Sequence, residues 1–135
     1  MKKTSLFTAG LVLAFAGASA FVRFAPSNPS DWHVLPPDLS EGDFSNSAVR
    51  ILDGDTELFD KLHGVILATD NTTVLAGSVG EGMITYISRS TVMGFPDYTT
   101  IQLSNNRITA YARARYGLSD LGVNAKRLNA WLAQL

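Results

Sequence analysis

Nineteen successive positions from Thr4 to Val22 carry no charge and are mostly Leu, Val, Phe and Ala, with Lys2 and Lys3 before them and Arg23 after. A run of that length approaches the roughly 20 apolar residues with which a helix crosses a bilayer, and the leading lysines orient it with the following chain translocated. Ala18-Ser19-Ala20 supplies the small residues of a signal-peptidase site. Residues 1–24 therefore read as a signal peptide cleaved near Ala20 or as a membrane anchor, and both readings stay open. From Ala25 to Phe44 the apolar positions lose any period, and Pro26, Pro29, Pro36 and Pro37 stand among Ser, Asn and Asp, the pattern of an extended linker over residues 25–44. Trp32 and His33 interrupt it; a Trp in polar spacer packs on a domain surface or lies near a headgroup layer.

Periodicity returns near Ser45. Ala48–Leu52 reads as a short strand, Asp53-Gly54-Asp55 as a turn ending in the N-cap Asp55, and Leu58, Phe59, Leu62, Val65 and Ile66 as the apolar stripe of a helix. The pattern then changes to alternation. Thr73–Val79 and Met83–Val92 flank Gly80-Glu81-Gly82, and Tyr98–Leu103 and Arg107–Arg115 flank Ser104-Asn105-Asn106, which predicts two hairpins joined through Gly94-Phe95-Pro96-Asp97. In the last strand Ile108, Ala110, Ala112 and Ala114 share one face and Thr109, Tyr111, Arg113 and Arg115 the other. A final helix is expected after Gly117, capped by Ser119, with Asp120 in its first turn and Leu121, Leu128, Trp131, Leu132 and Leu135 as its core stripe. The order predicts an α+β domain over residues 45–135: one antiparallel twisted sheet with two helices packed on one face, preceded by an N-terminal hydrophobic helix. Small side chains on the inner face of the last strand allow either close approach of a helix or a shallow groove beneath it.

Composition narrows the chemistry. The 135 residues hold no cysteine, which excludes disulfides, a lipid-modified cysteine, a thiol nucleophile and thiolate metal sites. A formal charge of −1 without a Lys/Arg-rich run argues against nucleic acid as a partner. His33 and His63 stand in no metal-ligand spacing, the Gly77–Gly82 glycines are turn formers before they are a phosphate cradle, and no cofactor motif is present. Charge is nonetheless uneven: residues 31–70 hold nine acids against two bases, and residues 71–135 six bases against three acids.

The stretch Arg115-Tyr116-Gly117-Leu118-Ser119-Asp120-Leu121-Gly122-Val123-Asn124-Ala125-Lys126-Arg127 carries arginine, glycine, aspartate, glycine, asparagine and arginine at spaced positions. It resembles the signature of the uncharacterised bacterial family known as domain of unknown function 1499. Gly94-Phe95-Pro96-Asp97 is similar to that family's turn before its third core strand, and Arg23-Phe24-Ala25-Pro26 through Trp32-His33 to the post-membrane linker of its anchored members. Where the family often has serines, this chain has Ala112 and Ala114. The resemblance implies an envelope protein and supplies no activity.

On a continuous helix Asp120, Asn124 and Arg127 would fall within about 60° of one another beside the apolar stripe. Arg115, a short turn away, would reach Asp120 as a bidentate pair. One reading of the cluster Arg113, Arg115, Asp120, Asn124 and Arg127 is structural, a clamp fixing the last helix. The other is that Arg113, Arg115, Lys126 and Arg127, with the N–H groups at the helix start, hold an anionic group. Trp32, His33, Arg89 and Asp97 are secondary candidates. Two functions follow: a non-catalytic module of the cell envelope, periplasmic or anchored in the inner membrane, binding an anionic or amphiphilic small molecule or an envelope partner; or a small hydrolase using Asp120 or Asp97 as base with Arg115 steering the substrate.

Overall fold

The computed structural model describes residues 2–91 and 93–135, with side chains from Ser5 onward. Met1 and Val92, the expected ends of the leading helix and of the second hairpin strand, lie outside the described residues. Helix α1 (Lys2–Phe24) contains the apolar stretch Ser5–Phe24, none of it buried, and is long and apolar enough to serve as a signal peptide or as a membrane anchor.

Among the described residues six strands form one antiparallel sheet in the order β1-β2-β6-β5-β4-β3. They are β1 (Gly42–Asp43), β2 (Ser47–Asp53), β3 (Thr72–Ser78), β4 (Met83–Arg89), β5 (Pro96–Ser104) and β6 (Arg107–Ala114). The expected alternation sets the register: Ala112 opposes Ala48 and Thr99, and Ala110 opposes Arg50 and Ile101, which puts the alanines of β6 on the inner face. Helices α3 (Thr56–Leu67) and α4 (Val123–Leu132) cover that face. Phe59, Leu62 and Ile66 from α3 and Leu128 and Trp131 from α4 meet Ile84, Tyr86, Ile101 and Ile108 in one core. Tyr86 lies wholly inside, its hydroxyl 2.8 Å from His63 Nδ1, and burial pushes its phenol up.

Asp55 caps α3 as its position predicts, accepting from the Leu58 amide at 3.0 Å. Asp55→Ala should therefore cost about 1 kcal/mol of unfolding free energy, measured by denaturant titration; an unchanged midpoint would show that water replaces the cap without loss.

Two elements lie in the stretch that reads from sequence as spacer: the single-turn helix α2 (Pro29–Trp32) and the edge strand β1. Residues 25–44 form a strap over the sheet's second face. The Ser27 hydroxyl meets the Tyr98 hydroxyl at 2.6 Å, His33 Nδ1 meets Thr85 Oγ1 at 2.8 Å, and Gly42 returns opposite Val49. Room for His33 comes from Gly77 (φ 89°), where a Cβ would fall 2.8 Å from the imidazole and 2.0 Å from the Met83 carbonyl.

The last helix begins later than the sequence predicts. Ser119 and Asp120 precede it, Gly122 occupies the N-cap position at φ 78°, and the first helical residue is Val123. Leu121, expected in the core stripe, is 92% exposed and also left-handed, at φ 53°. Glycines at 117 and 122 hold the intervening residues in a loop, which turns Leu121 out of the helical phase that would have buried it.

Candidate functional site

The alternation of β6 divides the expected cluster between the two faces of the sheet. Arg113 stands opposite Ser47 and Tyr98 on the second face, 6% exposed. Its Nη1 donates to Thr100 Oγ1 at 2.8 Å and to the Tyr111 carbonyl at 3.2 Å, and its Nη2 donates to the Trp32 carbonyl. The guanidinium carbon lies 4.6 Å from the Tyr111 ring centre and 5.7 Å from that of Trp32. Burial depresses its pKa to about 10, which leaves it charged at neutral pH.

Arg115 follows on the same face. It donates to the Pro26 carbonyl at 2.9 Å and to the Tyr98 hydroxyl at 3.1 Å, so the expected pair with Asp120 is not made. The short turn does not bring them together because Arg115 leaves β6 pointing to the strap, while the residues after Gly117 cross to the helix-covered side. Trp32 completes this group by stacking on Tyr98, ring centres 3.9 Å apart at 12°. Each of these two arginines joins the sheet to the strap, donating to a strap carbonyl, Trp32 or Pro26, and to a side chain of β5.

The remaining members converge at the other face. Asp120 Oδ1 accepts from the Gly122 amide at 2.9 Å, and its Oδ2 from the Asn124 amide at 3.2 Å and side-chain nitrogen at 2.8 Å. The carboxylate thus caps α4 from two residues ahead of the N-cap. Asn124, fully buried, accepts from Arg127 Nη1 at 2.8 Å, and the same Nη1 pairs with Asp97 Oδ2 at 3.0 Å. The series Asp120–Asn124–Arg127–Asp97 ties the start of α4 to the start of β5. Burial raises the pKa of Asp97; Arg127 opposes the rise and Asp120 adds to it.

Beside this network opens a cavity of about 400 Å³. Phe95, Ala114, Leu121 and Val123 form its apolar wall, and Asp97, Asp120, Ser90 and Ser119 contribute polar atoms. Tyr116 also lines it, and its hydroxyl is buried without a hydrogen-bond partner among the described residues. The cavity lies at the mouth of α4; beneath the helix, where a groove over the small residues of β6 was one expectation, Asn124, Leu128 and Trp131 fill the space. A larger hollow of about 520 Å³ lies under residues 34–39 of the strap, with Arg107 the one ionisable side chain among the described residues that line it. Arg89 belongs to neither, donating to the Gly94 carbonyl at 3.0 Å.

Tyr98 and Thr100 escape the sequence reading because strand alternation alone does not say what covers the second face, and Tyr116 because it lies in the loop after β6, outside any period. The loop position of Leu118 and Leu121 did leave a signal: Gly122 inside the supposed first turn is a poor helix residue. Residues 26–135 match the model of a family described as Protein of unknown function (DUF1499), and no curated protein matches the chain.

Proposed function

The chain belongs to the DUF1499 family, and from that premise we propose that it is a non-catalytic envelope module, held at the membrane by α1, that binds an amphiphile in the cavity at the mouth of α4. The observation that carries this reading is the pairing, in the lining of one hollow of about 400 Å³, of an apolar wall with two carboxylates. An acyl or aryl body fits against Phe95 and Val123, while an ammonium or hydroxyl finds acceptors in Asp97 and Asp120. Amphiphilic chemistry is favoured over a simple anion because Arg113 and Arg115 donate to the strap on the opposite face. A binding role is favoured over hydrolysis because the Asp120 carboxylate already accepts three hydrogen bonds and Asp97 is paired with Arg127.

Native mass spectrometry of the full chain released from vesicles doped with lysophosphatidylethanolamine tests the reading. Wild type should retain one lysolipid, and Val123→Trp, at a half-exposed position on the cavity wall, should retain none while melting like wild type. Equal retention by both proteins, or none by wild type, would refute it.

A further inference from the structure

The domain has almost no slack behind α1. The helix ends at Phe24, and Pro26 and Ser27 are already bound to Arg115 and Tyr98. Arg23 lies against Gly94, where an added Cβ would come within 3.1 Å of its Nε. One end of the sheet is thereby fixed beside the end of α1. It comprises the close of β4, the start of β5 and the close of β6, with residues 90–91, 93–95 and the loop 115–122.

That end is apolar at its tip. Leu118 is 94% and Leu121 92% exposed, and Phe95 and Val123 are each exposed by more than a third. Phe95 and Tyr116 bring the two loops together, ring centres 6.4 Å apart. Two almost bare leucines in a four-residue loop between glycines cost solvation free energy unless something covers them. Two exposed cations stand toward this end: Arg23, which closes α1 beside Gly94, and Lys126 in the first turn of α4. An apolar tip held beside the end of α1 matches the headgroup layer of a bilayer, where apolar side chains enter the acyl boundary and cations such as Arg23 and Lys126 remain at the phosphates.

We propose that the loop Leu118–Leu121, with Phe95, inserts into the headgroup layer of the membrane that α1 crosses, so that the cavity at the start of α4 opens toward lipid. The proposal rests on α1 remaining in the membrane. It makes the amphiphile of that cavity a molecule drawn laterally from the bilayer.

The cysteine-free chain allows single-site labelling. Leu121→Cys and Ser104→Cys, the latter exposed at the opposite end of β5, are each labelled with an environment-sensitive nitrobenzoxadiazole dye in the full chain. Both are reconstituted in phosphatidylglycerol–phosphatidylethanolamine vesicles containing a headgroup-level nitroxide lipid. The Leu121 probe should shift to the blue and be quenched severalfold, with the Ser104 probe unaffected. Vesicle flotation of the protein with a Leu121 probe as wet and unquenched as that at Ser104 would overturn the insertion alone. A blue shift without lipid quenching would overturn it in favour of a protein contact. Failure to float would overturn both insertion and anchoring.

Discussion

Replacing Arg127 with methionine is expected to lower the stability of the domain by about 2–3 kcal/mol at neutral pH, and by far less in acid. The side chains of Arg127 and Asp97 are only 17% and 15% exposed, so removing the cation strands a carboxylate in a largely desolvated place and takes a donor from Asn124. The range is set below that of a fully buried pair because some solvent still reaches both groups. The pH dependence follows from the direction of the Asp97 shift. Its folded pKa lies above the ordinary 3.8, with burial the chief cause, so the native state binds this proton more readily than the unfolded chain. Stability associated with Asp97 is therefore fully present below 3.8 and lost as pH rises through the folded value. Without Arg127 the opposing influence disappears, the folded value climbs further, and more stability is lost on the way to neutrality. Denaturant titrations of both proteins across that range read the effect directly. Adding Asp97→Asn to the Arg127→Met protein should recover most of the loss, since the stranded charge is then gone. A mutant deficit that stays constant with pH would mean that packing of the arginine stem, rather than its charge, matters.

What the sequence made legible was whatever depends on local period. The strand β6 reads correctly position by position because its two faces differ in kind, alanines against Thr109, Tyr111, Arg113 and Arg115, and the Asp55 cap reads correctly because its donor lies three residues away. Contacts across the chain were not legible in the same way. Arg115 is 89 residues from Pro26, and nothing in the alternation of β6 indicates that a proline-rich segment covers that face. The strap was misread for a related reason: its prolines remove amide donors and suppress regular structure, yet its carbonyls at Pro26 and Trp32 remain acceptors for the two arginines. At the C-terminal motif the spacing of Asp120, Asn124 and Arg127 marks a polar series on one continuous helix, whereas the helix begins only at Val123. The structure connects Asp120 to Asn124 through a cap and Arg127 to Asp97 through an ion pair. Most of the motif's polar atoms thus hold the helix in place, and the cavity is a consequence of where the resulting loop is held.

Trp32→Ala should be the second large loss, about 2–3 kcal/mol, and its character should differ from that of Arg127→Met. Trp32 is part-buried, so the cost is set below that of a fully enclosed indole; it comprises the stack on Tyr98 and the cation–π contacts with Arg113 and Arg115, whose guanidinium carbons lie 5.7 and 5.9 Å from the ring centre. The indole is the apolar fastening of a strap otherwise tied by hydrogen bonds, and hydrogen bonds alone hold a segment poorly when water can replace them. Amide exchange should therefore accelerate through the strap, including the His33 amide donated to Pro29 and the ladder between Gly42 and Val49, while the amides of α3 and α4 keep their protection relative to the global limit. Trp32→Phe preserves a stacking ring and should cost under about 1.5 kcal/mol. Uniform acceleration over strap and helices together would show that the second face folds and unfolds as one unit with the first, and that the chain following α1 has no independent mobility. Localised acceleration would identify the strap as the compliant link between α1 and the domain, so that its fastening by Trp32 controls how firmly the apolar tip at Leu118 and Leu121 is held beside the end of α1.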